Sequence, residues 1–313
     1  MYRLSHNCPI LLFNNDQMQK GNAEKWILFL LLSFIWGSSF ILMKTGMEKL
    51  NAWQVASLRI FVSGLVLLPL ALKNFKKIPP SKIGLVFLSG ALGSLFPAYL
   101  FCLAEQKFDS ALAGALNAMT PVFTLISGIL FFSLKTEPRK IIGVLIAFSG
   151  TALLFLSKNS FALNTEMGYG GFILIATLCY GINVNLVQKH LKEIASIDIV
   201  SMALSLCALP AMILLIFSGF FQLDFNSKPV MLSIGYSVIL GAAGTSLASI
   251  LFYRLIKQAG SVFASTVTYG IPFVALGWGF VYGETIGWLQ ILGLMVILGG
   301  VYLANTNSSF KKR

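Results

Sequence analysis

Charge is scarce in this chain. Asp, Glu, Lys and Arg make up 11% of its 313 residues, against 57% hydrophobic residues. Soluble domains carry roughly 25% charged residues. A soluble fold with so few charges would not cover its surface with polar groups, which leaves lipid as the solvent. Metal-binding residue types are scarce too. His6 and His190 lie in polar flanks with no ligand spacing. Cys8, Cys102, Cys179 and Cys207 form no CxxC pair, and three of them fall in apolar runs as small packing residues. No metal or cofactor is expected. The net charge of +12 raises nucleic acid as a partner, but the cations sit in short clusters between apolar runs rather than along one face. That pattern belongs to membrane topology, and no nucleic-acid partner is expected.

What is present is long apolar runs. A spanning helix needs about 20 mostly apolar residues. Ten stretches qualify: 26–43, 52–72, 83–103, 111–132, 140–157, 168–187, 197–218, 231–253, 261–282 and 286–304. They are continuous and twice the length of barrel strands, so helices are expected. No connection has room for a soluble domain. Residues 1–25 lack the basic start, apolar core and cleavage site of a signal peptide and read as a cytoplasmic tail, with Met18 as an alternative start. Residues 306–313 form a basic tail. With the N-terminus inside, seventeen Lys and Arg fall on inner segments and five on outer ones, and Arg59 alone lies within a span. This asymmetry predicts ten spans with both termini in the cytoplasm, in a bacterial inner membrane.

The chain also repeats itself. Shifting residues 90–132 by 151 positions, without gaps, pairs Gly90 with Gly241, Gly93 with Gly244, Ser94 with Thr245, Phe101 with Phe252, Ser110 with Ser261 and Pro121 with Pro272. A shift of 150 pairs Gly143 with Gly293 and Gly150 with Gly300, and a shift of 144 pairs Trp36-Gly37 with Tyr180-Gly181. The units are 26–157 and 168–305. Each holds five spans, an odd number, so the second copy enters the membrane from the opposite side. The expected fold is an all-α integral membrane protein of ten transmembrane helices in two inverted five-helix repeats. Inverted repeats are a common architecture of secondary transporters.

Several of these residues resemble the EamA pattern of the drug/metabolite transporter superfamily. They are Trp36-Gly37-Ser38-Ser39-Phe40, Leu58-Arg59, and the block from Ser110 through Pro121 to Gly143 and Gly150. The second copy runs from Ser261 through Pro272 and Gly283-Glu284 to Gly293 and Gly300. The resemblance covers residues 26–305. It implies a central cavity lined mainly by the first, third, fourth, sixth, eighth and ninth helices, with the fifth and tenth peripheral, and a function in exporting amino acids, related metabolites or toxic compounds, or in importing solutes. The halves differ in places: Leu134 stands where the second copy has Glu284, and Leu204 is the counterpart of Arg59.

Particular residues stand out against this frame. Ser110, Gly114, Asn117 and Pro121 share one face of the fourth helix, and Ser261, Ser265, Thr268 and Pro272 repeat it in the ninth. Each proline frees a carbonyl one turn earlier, near Asn117 and Thr268. Such groups are tolerated at membrane depth against protein or a water-filled cavity, so these faces either line the pathway or serve close helix packing. Tyr269 adjoins the second face. In the sixth helix, Tyr180 lies near Asn183 and Asn185, which are two apart and cannot share a face. Trp36 and Tyr99 offer rings for a substrate, and Pro97 a kink. Arg59 lies about 10 Å deep at 1.5 Å per residue, with Glu105 as the expected partner in a gating or structural ion pair. Glycines 90, 93, 241 and 244 permit close helix packing. No carboxylate lies at the middle of a span, so a proton relay by a midplane acid has no candidate.

The expected function is a secondary transporter for a small organic metabolite, an amino acid or a related neutral or zwitterionic compound, with export favoured over import or exchange. A membrane enzyme would need clustered acids, histidines or a nucleophile–base pair near one membrane face, and none is found. A structural membrane protein gains nothing from inverted repeats. A small-molecule substrate and the lipid bilayer are the expected partners, and a monomer is favoured.

Overall fold

A computed structural model describes residues 10–107, 110–156, 167–281 and 287–305. Among them every regular element is helical. The helices are α1 (Ile10–Gly46), α2 (Ala52–Asn74), α3 (Ile83–Gly90), α4 (Phe96–Glu105), α5 (Ser110–Asn117), α6 (Thr120–Phe132), α7 (Pro138–Leu156), α8 (Met167–His190), α9 (Ser196–Phe217), α10 (Lys228–Ile239), α11 (Ala248–Ser265), α12 (Ile271–Val281) and α13 (Trp288–Asn305). Two π segments, Ala91–Leu95 and Leu240–Leu247, join α3 to α4 and α10 to α11. Gly283-Glu284 and the basic C-terminal tail lie outside the described residues.

Six stretches are long and apolar enough to cross a membrane: Ala23–Gly46, Ala52–Lys77, Pro80–Glu105, Tyr169–His190, Ser196–Phe217 and Lys228–Val274. This is a multi-pass membrane protein. The expected fourth span is in two pieces, α5 and α6. Pro121 stands in the first turn of α6, where its missing N–H costs nothing; in a continuous helix its ring would clash with the turn before it. The expected eighth and ninth spans lie in one run that turns at Gly260, whose φ of 84° and ψ of 167° no helix contains. The part of the expected tail from Ile10 onward is helical and continuous with the first span. No proline interrupts it between Ile10 and Trp26.

The bundle is apolar outside, and many of its polar side chains are turned inward. Leu72, Phe131, Leu209 and Phe217 are exposed, while Ser57, Ser63, Thr124, Thr177, Asn185 and Ser237 are buried. That arrangement suits a solvent of lipid, where outward polar groups would be costly. Small residues set the helix spacing. A Cβ on Gly64 of α2 would lie 2.4 Å from the Leu204 carbonyl oxygen of α9, and one on Gly300 of α13 would lie 2.6 Å from the Gly143 carbonyl oxygen of α7. Backbones therefore meet directly in both pairs.

The π segments have a local cause in the sequence. Thr245 and Ser246 donate their hydroxyls to the carbonyls five residues earlier, Leu240 at 3.2 Å and Gly241 at 3.1 Å. In the first segment the Phe96 N–H reaches back to the Ala91 carbonyl, also five residues earlier. Pro97 follows and supplies no N–H for the Gly93 carbonyl four residues before it. Pro97, Pro121 and Pro272 thus mark changes of helical geometry, with Pro272 in α12 just beyond the 3₁₀ turn Thr266–Tyr269.

Candidate functional site

A cavity lies among α1, α2, the two π segments, α4, α5, α6, α8, α11 and α12. Its wall is built in pairs. Trp36 and Tyr180, Ser39 and Asn183, and Phe40 and Val184 are each 144 positions apart. Gly93 and Gly244, Ser94 and Thr245, Phe101 and Phe252, Asn117 and Thr268, and Thr120 and Ile271 are each 151 apart. These shifts are the ones that align the two halves of the sequence. Sixteen of the twenty described lining residues fall into such pairs, so the two halves contribute matching surfaces to one space.

Four lining residues have no partner across the cavity: Met43, Arg59, Ser249 and Tyr253. Tyr253 organises the polar wall. Asn183 donates its Nδ2 to the Tyr253 hydroxyl at 3.1 Å, and the same hydroxyl stands 3.3 Å from the Ser89 hydroxyl and the Ser89 carbonyl. Gly93 makes room for this contact, because a Cβ there would lie 2.4 Å from Asn183 Nδ2. The second π segment serves the other side. Its Gly244 carbonyl accepts the Trp36 indole N–H at 3.1 Å, and its Thr245 hydroxyl accepts Arg59 Nε at 2.7 Å. Aromatic rings line much of the rest. Phe101 stacks on Tyr180 at 6.1 Å and meets Phe40 edge-on at 6.1 Å, while Trp36 meets Phe252 at 4.9 Å. No Asp or Glu is among the described lining residues.

The structure brings together six of the residues singled out from sequence: Trp36, Arg59, Asn117, Tyr180, Asn183 and Thr268. Two tyrosines lie elsewhere. The Tyr99 hydroxyl pairs with Ser57 at 2.8 Å and its ring packs on Trp53, because the π segment before it turns this face of α4 toward α2. Tyr269 is fully buried and donates to the Val144 carbonyl of α7 at 3.0 Å, away from its neighbour Thr268. The expected pair of Arg59 with Glu105 is not among the ion pairs of the described residues, where Arg59 instead donates Nε to Thr245 on the facing π segment. The Asn117 carbonyl freed by Pro121 is taken by the Thr120 hydroxyl at 2.8 Å. Asn183 and Asn185 divide as their spacing requires: Asn185 faces α6, donating to the Thr124 carbonyl at 2.8 Å and reaching the Ser127 hydroxyl at 3.1 Å. Sequence reasoning used Ser94, Thr245, Phe101 and Phe252 to align the repeat without seeing them as wall residues. The signal was there, since a cavity between two related halves draws its lining from matched positions.

The cavity is closed beyond Phe252 and Tyr253. There Phe29, Val187, Leu255, Ile256 and Phe263 form a continuous apolar core. Trp26 meets Phe263 edge-on at 5.5 Å, with Lys25 over the same ring. Glu24 and Arg254 form an ion pair across the same seam. Asn74 donates to the buried Asp198 carboxylate at 2.7 Å, and Lys257 donates to the Ile194 carbonyl. At the other end the lining reaches Met43, Arg59 and Phe101, near the C-terminal ends of α1 and α4 and the N-terminal end of α2.

The pattern that defines the EamA-like transporter family matches this chain twice, over residues 24–156 and 169–306. The chain is similar to Protein PagO of Salmonella typhimurium, with 24% identity over 282 residues that cover 88% of this chain and 91% of that one. It is 27% identical over 296 residues to the uncharacterized inner membrane transporter YedA of Escherichia coli, covering 87% of each. An uncharacterized transporter of Archaeoglobus fulgidus is 26% identical over 284 residues, covering 90% of this chain and 98% of that one. A solved crystal structure superposes with a TM-score of 0.68 at 15% identity, covering 91% of this chain and 96% of that one, and so shares the fold.

Proposed function

The chain belongs to the EamA-like transporter family, and on that premise we propose that it is a secondary transporter moving a small organic metabolite across the bacterial inner membrane by alternating access. The substrate class is an amino acid or a related neutral or zwitterionic compound, and export is the favoured direction. One observation carries this reading: a central cavity is walled by matched residues from both halves of the chain. Two halves related in this way exchange conformations to expose one site alternately to each side. In this reading the ten spans form two inverted repeats, 26–157 and 168–305, and both termini are cytoplasmic. The sealed end of the bundle is then cytoplasmic, since Lys25, Lys82, Arg254 and Lys257 gather there. The cavity belongs to an outward-open form. Trp36, Asn117, Tyr180, Asn183 and Thr268 would contact the solute, while Tyr99 and Tyr269 hold helices in place. The protein acts as a monomer.

The test is counterflow in proteoliposomes. Vesicles loaded with one unlabelled amino acid should accumulate the labelled form above the level of empty vesicles, with saturation. Absence of saturable flux across the amino acids and their close neutral relatives would sink the substrate class. Reporter tags on the two termini check the orientation independently, and a C-terminus on the outer side would overturn it.

A further inference from the structure

Arg59 is the one charged side chain in the cavity wall among the described residues. It is also a point where the matched construction fails, because its counterpart Leu204 is fully buried between helices and lines nothing. The guanidinium is held rather than loose. Its Nε donates to Thr245 at 2.7 Å, and Thr245 is itself anchored to the Leu240 carbonyl. A Cβ on Gly241 would lie 2.6 Å from the Arg59 backbone carbonyl oxygen, so the π segment packs directly on this turn of α2. The two terminal nitrogens make no hydrogen bond among the described residues, and the side chain lines the cavity. A guanidinium fixed through Nε still presents a planar pair of N–H donors, the geometry that matches a carboxylate. Within the same wall, Phe40, Phe101 and Tyr180 form a run of rings in contact with one another.

We propose that Arg59 is the docking group for the carboxylate of the transported solute, with the apolar body of that solute against Phe40, Phe101 and Tyr180. This inference rests on the transporter reading and narrows its substrate class: a zwitterion qualifies through its carboxylate, an amino group is not required, and a neutral relative with no carboxylate does not qualify. With one cation and no acid among the described lining residues, the cavity attracts organic anions and gives a bare ammonium no counter-charge. The missing counterpart at Leu204 gives the solute a direction, because only one half of the cavity can hold its charged end.

The test does not need the natural substrate. Ser94→Cys is introduced after the native cysteines are replaced, and its labelling is followed with an anionic and a cationic methanethiosulfonate reagent of equal size. Relative to a free thiol, the anionic reagent should be favoured by roughly tenfold, as expected for a cleft of one sign of charge. Arg59→Gln should abolish that preference, and Arg59→Lys should keep it. Hexanoate and 3-phenylpropanoate should slow labelling in the parent, less so in Arg59→Lys and not in Arg59→Gln, whereas their amides should not slow it at all. A reagent preference unchanged in Arg59→Gln, equal protection by acid and amide, or protection by neither overturns the proposal. If Arg59→Gln does not fold, a loss of protection in Arg59→Lys with the reagent preference kept carries the same decision, and full protection in that variant overturns the proposal. Failure of the transporter reading would be distinct, with normal labelling and acid protection but no saturable flux of any solute in proteoliposomes.

Discussion

At one end of the bundle Trp26, Phe29 and Phe263 close on one another with an ion pair and an apolar core beside them. At the other, Met43, Arg59 and Phe101 stand around space. The same helices run through both ends, so the contrast lies in side-chain choice. The closed end uses large rings and branched aliphatics that fill volume. The open end uses glycine, serine, threonine and asparagine with rings held at the walls. A transporter that alternates must be able to exchange these two conditions, so neither end is expected to be held by more than it can release.

Four experiments bear on this contrast, in order of expected effect. Phe263→Ala removes the ring that Trp26, Phe29 and Lys25 share. A buried Phe→Ala change costs about 3–5 kcal/mol, and thermal melting in detergent should fall accordingly. Thiol reagents should then reach Ser265→Cys from the sealed side; an unchanged melting temperature would mean that this seam is not a structural lock. Asn183→Leu strips the Tyr253 hydroxyl of one partner, and leaving such a group under-bonded costs about 1–3 kcal/mol. Flux should drop more than stability does, and a variant with full flux would remove Asn183 from the pathway. Cysteines at positions 117 and 268 should react with water-soluble reagents several times faster than cysteines at 145 and 295, whose side chains Leu145 and Met295 face outward. Equal rates at all four positions would leave the polar faces as packing features. Glu24→Gln should do least. Both partners of its ion pair are more than one third exposed, and exposed pairs contribute less than ~1 kcal/mol. A melting shift as large as that of Phe263→Ala would show that the ion pair, not the rings, holds the closed end.

Much of this architecture is legible in the sequence, because lipid enforces simple rules. Continuous apolar runs give the helices, and glycine and proline mark their breaks, as Gly260 and Pro121 do. The polar faces of Asn117 and Thr268 stand out because polar residues at that depth need a reason. Tyr99 and Tyr269 lie off the cavity lining for a different cause. Helical spacing assigns faces only while the turn stays at 3.6 residues. The π segment before Tyr99 and the 3₁₀ turn containing Tyr269 each change that period. The partner of Arg59 was hidden for a similar reason. Thr245 reaches it from a helix almost two hundred residues away, and nothing local in either segment announces that contact.

Each π segment holds more residues per turn than the α-helix on either side, which in the history of a gene is a single-residue insertion absorbed within a helix. The alignment of the two halves passes from Gly90–Gly241 to Pro121–Pro272 without a gap, straight through both segments. If both halves descend from one ancestral unit, that insertion was already in it before the unit was doubled. Relatives built from one such unit should then align through residues 91–95 with no residue missing. A one-residue gap at that place in most of them would mean instead that the two halves acquired their extra turns separately.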